Sequence, residues 1–390
     1  MPETARIDVG CAFEPFESER LELSGRLVRA PVWSGTADEN GFVTDKTVSF
    51  YEKLAGNGLG LIITGFSFIS ANSRAVPRMM GAASDDFIPG LTRLVEAVHE
   101  RGDKIALQIA HCGLNAMQSF DPDGLIYGPS LIALTGTTQG EKAGRLHKGN
   151  AHIMRSLTRW QIDQIIENFV EAAERAAVAG FDAVEIHGAH HYLISEFLSP
   201  AFNKRTDVYG GGSRQRARFA TDVVSSIREA LPGMPLIFRL NCEDFSPGGT
   251  TLDDSKTAAA LVAEAGADII SVSGSNPTRT RIVKREKEAY FREQAKLIRE
   301  ATKIPVLVTG GIRSPEAVVE ILDKQYADLV GIGRPLIRTP DLPARWREGK
   351  FDPYDCISCN SCMRAAMEYS VTCARMGQEE LEVEGGELIQ

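Results

Sequence analysis

The sequence predicts an α/β fold, a (β/α)8 TIM barrel followed by a short C-terminal Cys-rich extension. Three observations lead there. First, eight short apolar runs recur: LVRAPV (27–32), LGLIITGF (59–66), KIALQIA (104–110), FDAVEIHG (181–188), PLIFRLN (235–241), ADIISVSG (267–274), IPVLVTGG (304–311) and ADLVGIG (327–333). Continuous apolar runs fit strands covered on both faces, as in a parallel sheet. Second, the segments between them carry helical periodicity. In WQIDQIIENFVEAAERAAVAG, Thr158 and Gln161 supply a capping box ahead of the helix and Gly180 a C′ residue behind it. Third, AAVAGFDAVEIH, VAEAGADIISVS and ILDKQYADLVGIG repeat one junction: helix end, tight turn, Asp, buried strand. Three copies of one αβ junction favour a cyclic repeat, and eight units close a barrel. The competing fold is a doubly wound open sheet with an appended domain. Such sheets usually carry a Gly-rich turn after strand 1, and LVRAPVWSG has none.

The boundaries follow from the pattern. Residues 1–350 read as the barrel, 351–376 as the Cys-rich extension and 377–390 as an acidic, loose tail. Residues 113–157 show little periodicity and follow the third strand, so they read as a functional lid or a disordered loop on the face where strands end.

Bulk composition excludes several classes. The chain has 390 residues, 43% of them hydrophobic, which is ample for a large core. No stretch approaches the ~20 apolar residues of a membrane helix, and the acidic, mixed first residues do not read as a leader. The expectation is a cytoplasmic protein with no membrane partner. A net charge of −9 gives no footprint for nucleic acid, although it is compatible with a local basic pocket for a phosphate. The oligomeric state is open, and a homo-oligomer is compatible with it.

In a barrel, chemistry gathers at the C-terminal ends of the strands. There the sequence places Gln108 and His111, then His187 with His190, His191 and Tyr192, then Arg239, then Gly310 and Gly311, and last Gly331, Gly333 and Arg334. Glycines after strands 7 and 8 let backbone N–H groups approach an anion, and Arg334 adds a charge-assisted contact. The alternative is turn glycines beside a surface arginine. His187 and His190 form an H-x-x-H pair with three readings: neutral imidazoles donating to a substrate carbonyl, a metal pair, or structural histidines. A metal pair needs a third ligand, and Glu185 is the only nearby carboxylate. His191 reads as structural or exposed. Tyr192 holds its proton at neutral pH, so it is either a general acid or a core tyrosine. Tyr51 and Trp160 read as packing residues.

Several stretches together resemble the old yellow enzyme family, in the branch with 2,4-dienoyl-CoA reductase and trimethylamine dehydrogenase. They are GRLVRAPVWSGTADENGFVT, GLGLIITGFSFISANSR, KIALQIAHCG, HGAHHYLISEFLSPAFNKRTDVYGG, VLVTGGIRS and VGIGRPLIRTPDLP. The resemblance implies FMN in the barrel mouth and NAD(P)H as diffusible reductant. It implies that Ala30, Pro31, Val32, Gly65 and Phe66 pass along the flavin, and that Gln108 and Arg239 contact the ring edge. Gly310, Gly311, Gly333 and Arg334 then surround the phosphate. His187 and His190 polarise the carbonyl of an enone or enal, and Tyr192 protonates its α carbon. Three positions depart from the family: Trp33 stands where Cys or Thr is common, Gly35 where some relatives have Tyr, and Leu114 where Arg is common. The readings carried forward are an ene-reductase, an amine N-dehydrogenase that uses Trp33 in an aromatic bowl, and a flavin-free barrel lyase. The lyase needs a strand-end Lys or a metal cluster.

Of seven cysteines, Cys356, Cys359, Cys362 and Cys373 fall in one run, CISCNSCMRAAMEYSVTC. The x2, x2, x10 spacing fits a [4Fe–4S] cluster, a zinc site, or thiols that bind nothing. Cys11, Cys112 and Cys242 read as ordinary buried or surface cysteines.

Overall fold

Side chains alternate along a strand, so each apolar run has one face toward a barrel axis and one toward the helices. The computed structural model describes residues 7–131, 154–275, 288–351 and 356–375. Its barrel strands are β1 (Leu27–Arg29), β2 (Leu61–Ile63), β3 (Lys104–Ala110), β4 (Ala183–Gly188), β5 (Leu236–Asn241), β6 (Ile269–Ser273), β7 (Val306–Thr309) and β8 (Leu329–Ile332). Each pairs in parallel with the next. β8 returns to β1, with Gly331 opposite Val28. The sheet is therefore closed, a (β/α)8 TIM barrel, and each predicted run contains one strand.

The repeated Asp has a physical role. Asp182, Asp268 and Asp328 each turn a carboxylate back to accept an amide at the start of the preceding strand: Ile105, Leu236 and Val306, at 2.7–2.9 Å. Arg228 and Arg299 clamp two of these carboxylates. The motif thus ties each strand to its neighbour where backbone donors would otherwise be unpaired.

The helices that shield the barrel are α1 (Asp45–Glu52), α2 (Ile88–His99), α3 (Arg159–Val178), α4 (Arg218–Ala230), α5 (Leu252–Glu264), α6 (Arg292–Thr302), α7 (Pro315–Asp323) and α8 (Leu342–Arg347). α3 begins with the Thr158–Gln161 capping box, and Gly180 beyond its end has φ +91°. Tyr51 is buried as expected. Trp160 is not: it sits in the first turn of α3, 69% exposed, on the side away from the sheet. Cys112 and Cys242 are buried and Cys11 is half-buried.

Inside the barrel the residues form layers. At the N-terminal end Val28, Leu61, Ile63, Ala106, Ala183, Ile237, Ile269, Leu307 and Leu329 pack on Phe16, Leu21 and Leu23. Phe16 and Leu23 pair across an antiparallel hairpin that plugs this end. Two residues further along the strands the layer turns polar, with Gln108, Glu185, Arg239, Ser271 and Thr309, all buried. The barrel is sealed at one end and chemically equipped toward the other.

In the segment read as a lid, Ile126–Gly128 pairs in parallel with Met154–Ser156; residues 132–153, and the acidic tail from 376 onward, lie outside the described residues. The extension carries helix α9 (Ser361–Glu368). Among the described residues, no helix is long and apolar enough to cross a membrane.

Candidate active site

A cavity of about 370 Å³ opens at the C-terminal ends of the strands, within the range typical of small-molecule sites. Ala30, Pro31, Val32, Gln108, His187, His190, Tyr192, Arg239, Gly310, Gly311, Gly333 and Arg334 all line it. Gly65 does not. Its amide is taken by the Tyr51 hydroxyl at 2.8 Å, and a Cβ there would sit 2.7 Å from the Val32 carbonyl oxygen. Gly65 therefore lets the chain after β1 cross β2 closely, while Phe66 beside it reaches the cavity.

His187, His190 and Tyr192 converge. The His187 ring lies 5.0 Å from that of His190 and 4.8 Å from that of Tyr192, and Phe66 packs 5.4 Å from Tyr192. The loop carrying them is strained: His190 and His191 both adopt left-handed φ, 60° and 58°, a conformation that persists only where surroundings impose it. The His190 amide donates to Asn241 Oδ1 at 2.9 Å, Asn115 Nδ2 donates to the His191 carbonyl, and His191 Nε2 meets Asp244 at 3.2 Å.

Burial, reinforced by the Arg239 charge, holds the His187 pKa well below the usual imidazole value. His190 is held low by burial, then by His187 and Arg239. Both rings are neutral near pH 7. The Ala189 amide donates to His187 Nδ1 at 3.2 Å, so that nitrogen is an acceptor and the ring proton resides on Nε2. His190 Nε2 lies 2.9 Å from Ser273 Oγ. The expected ¹⁵N spectrum keeps both rings neutral through the range in which a free imidazole takes up its proton, with His187 protonated at Nε2. A titration centred near ~6.5 in either ring would remove them as neutral donors.

Burial is also the main reason the Tyr192 hydroxyl pKa is raised, with Cys112 adding to it. Among the described residues this hydroxyl takes no hydrogen bond. Arg239 Nε and Thr309 Oγ1, both on residues lining the cavity, are also buried without a hydrogen-bond partner among the described residues. Buried orphans of this kind mark a site completed by a polar ligand. A cation at the floor, glycines just after β7 and β8 and apolar walls fit a planar heterocycle that carries a phosphate, so the residues present suit FMN. Near that end Arg334 is partly committed: its Nη1 donates to Asn360 Oδ1 at 2.5 Å.

The extension closes over the same cavity. Ser358, Met363 and Met367 line it, and Cys362 and Ala366 pack against Trp33. Arg78 donates to the carbonyls of Gly35, Ala366 and Met367, and Arg313 to that of Cys356. Gly35 has φ +64° and a Cβ there would lie 2.7 Å from the Ala366 oxygen; its lack of a side chain admits the extension. Sequence reasoning missed Val76, Tyr290, Thr309, Arg313, Ser358, Met363 and Met367. Thr309 alone carried a signal, as the polar end of VLVTGG.

Around the cysteines the arrangement is looser than a one-ion site. Among the described residues no three His, Cys, Asp or Glu side chains converge to hold a metal ion. A zinc tetrahedron with ~2.3 Å bonds would hold its sulfurs about 4 Å apart. The thiols are nonetheless neighbours: Cys373 and Cys359 both push up the pKa of Cys356, after burial. The Ser358 amide donates to Cys356 Sγ at 3.4 Å. Burial would raise the Cys359 thiol, but Ser361 and Arg375 outweigh it and lower it. Arg29 is buried nearby. Its Nη2 lacks a partner among the described residues. Burial pulls its pKa down to about 10, against Tyr51 and Cys362, which raise it.

A closed barrel with a buried arginine at its floor and a His–His–Tyr trio at its mouth has the construction of the flavin-dependent oxidoreductases. The chain belongs to the NADH:flavin oxidoreductase / NADH oxidase family, whose sequence profile matches residues 12–352, the old yellow enzyme family that its motifs resemble. It is 35% identical over 332 residues to NADPH dehydrogenase of Geobacillus sp., covering 85% of this chain and 92% of that one. It is 34% identical over 351 residues to NADH oxidase of Thermoanaerobacter brockii, covering 87% of this chain and 51% of that protein. The chain thus spans about half the length of that relative. Morphinone reductase superposes with a TM-score of 0.72 at 29% identity, covering 88% of this chain and 91% of that structure.

Proposed function

We propose that this chain is an FMN-dependent ene-reductase of α,β-unsaturated carbonyl compounds, reduced by NAD(P)H. The convergence of His187, His190 and Tyr192 on the cavity carries this reading. Gln108 and Arg239 would hold the ring edge of FMN, with Gly310, Gly311, Gly333 and the free face of Arg334 around its phosphate. Bound FMN supplies hydride-transfer chemistry. The chain's own work is polar. His187 Nε2–H, with His190 beside it, grips the carbonyl oxygen and draws charge toward it. The Tyr192 hydroxyl delivers a proton to the α carbon. Phe66, Val76, Met363 and Met367 keep water from that transfer. Trp33 packs on the extension and also lines the cavity beside Phe66 and Tyr290, so the amine reading is separated by its own arm of the test.

The test is anaerobic stopped-flow on the purified holoprotein. A cyclic enone is expected to reoxidise the reduced flavin rapidly. Flavin reduced by an amine and left untouched by the enone would point to the N-dehydrogenase instead. A preparation that neither contains nor takes up flavin would end the reading.

We extend the proposal to a [4Fe–4S] centre held by Cys356, Cys359, Cys362 and Cys373, on the strength of the Cys-x2-Cys-x2-Cys run. Anaerobically purified protein is expected to contain iron and acid-labile sulfide in equal amounts. Stoichiometric zinc without sulfide would overturn it. The clustered cysteines support a cytoplasmic site of action.

A further inference from the structure

The lining of the cavity shows Arg239 and Gln108 but not the residue that holds them both. Glu185 lies one step behind the wall, on β4 between the two strands that carry them; it registers with Gln108 on β3 and with Ile237 on β5. Its side chain is fully buried, as are those of Gln108, Arg239 and Ser271. Gln108 Nε2 donates to Glu185 Oε2 at 2.6 Å. Arg239 Nη1 stands 3.8 Å from Glu185 Oε1, an ion-pair separation too long for a hydrogen bond. That nitrogen leans on Ser271 Oγ at 3.4 Å. Glu185 Oε1 and Arg239 Nε are consequently both buried without a hydrogen-bond partner among the described residues.

Two features of this arrangement matter. The carboxylate is the one anion in ion-pair reach of Arg239 among the described residues. The pair is also loose, so the arginine keeps donor capacity for whatever sits in the cavity. Inside a protein, charges this close interact strongly because little water screens them.

We infer that Glu185 is a redox-tuning positioning residue: its carboxylate fixes Gln108 and Arg239 and cancels part of the positive charge that Arg239 presents to the bound flavin. The inference rests on the FMN reading above. An anionic reduced flavin is stabilised by a nearby cation and disfavoured by a nearby anion. Removing the carboxylate charge therefore favours the reduced form.

The experiment is a midpoint-potential titration of the flavin in holoprotein, with flavin content measured in parallel. Glu185→Gln keeps the shape and the Gln108 contact while removing the charge. It is expected to favour the reduced flavin at least tenfold, about +30 mV for a two-electron couple. Glu185→Asp, which keeps the charge, is expected to stay near wild type. An unchanged or lowered potential in Glu185→Gln, or equal shifts in the Gln and Asp variants, overturns the inference while leaving the flavin reading intact. Wild type without flavin would instead remove the reading itself. Should Glu185→Gln fail to fold, Glu185→Gln/Arg239→Met removes both charges. A fall smaller than that of Arg239→Met alone supports the cancellation, and a fall equally large means Glu185 is electrostatically silent.

Discussion

Replacing Tyr192 with Phe is expected to slow reoxidation of the reduced flavin by an enone ~10²–10⁴-fold, with flavin reduction by NAD(P)H nearly unchanged. The phenol is held in its protonated form by burial and by Cys112, and its hydroxyl is uncommitted among the described residues. The ring packs on Phe66 and His187, so a Phe keeps the pocket shape and removes only the proton. Single-turnover rates for the two half-reactions separate these effects. An equal loss in both would mean that Tyr192 shapes the cavity and does not act as the acid.

Arg239→Met is expected to lower the stability of the flavin-free protein by about 3–5 kcal/mol, because it strands the Glu185 carboxylate in the barrel interior. The pair is nearly inaccessible, with side-chain exposures of 3% and 0%, so water cannot compensate. Adding Glu185→Gln should restore much of the loss, since a neutral amide costs far less to bury than a lone charge. Denaturant midpoints for wild type, both single variants and the double form a complete cycle. Additive effects would show that the two charges do not sense one another.

Much of this architecture was legible because it is written locally. Buried parallel strands need continuous apolar runs, and each of the eight runs holds a strand. The Asp of the repeated junction was visible as a pattern, while its task of capping the neighbouring strand needed coordinates. The site was legible where period-2 alternation carries a polar residue into the barrel, as at Gln108, His187 and Arg239. It was illegible where distant segments meet. Nothing in CISCNSCM says that Met363 faces the cavity or that Asn360 takes one donor of Arg334. Gly65 was placed along the flavin by resemblance, yet its missing side chain serves the crossing of Val32. Trp160 resembled a core residue by type alone; its position on α3 turns it to solvent.

The seam between β8 and β1, with Val28 beside Gly331, also sets a schedule for synthesis. A ribosome adds roughly 5–20 residues per second, so the first strand waits on the order of tens of seconds for the partner that covers its open edge. During that interval an apolar strand is exposed to wrong pairings. The hairpin of Phe16–Glu17 with Glu22–Leu23 emerges before β1, so it is already made when the N-terminal layer it packs on begins to form.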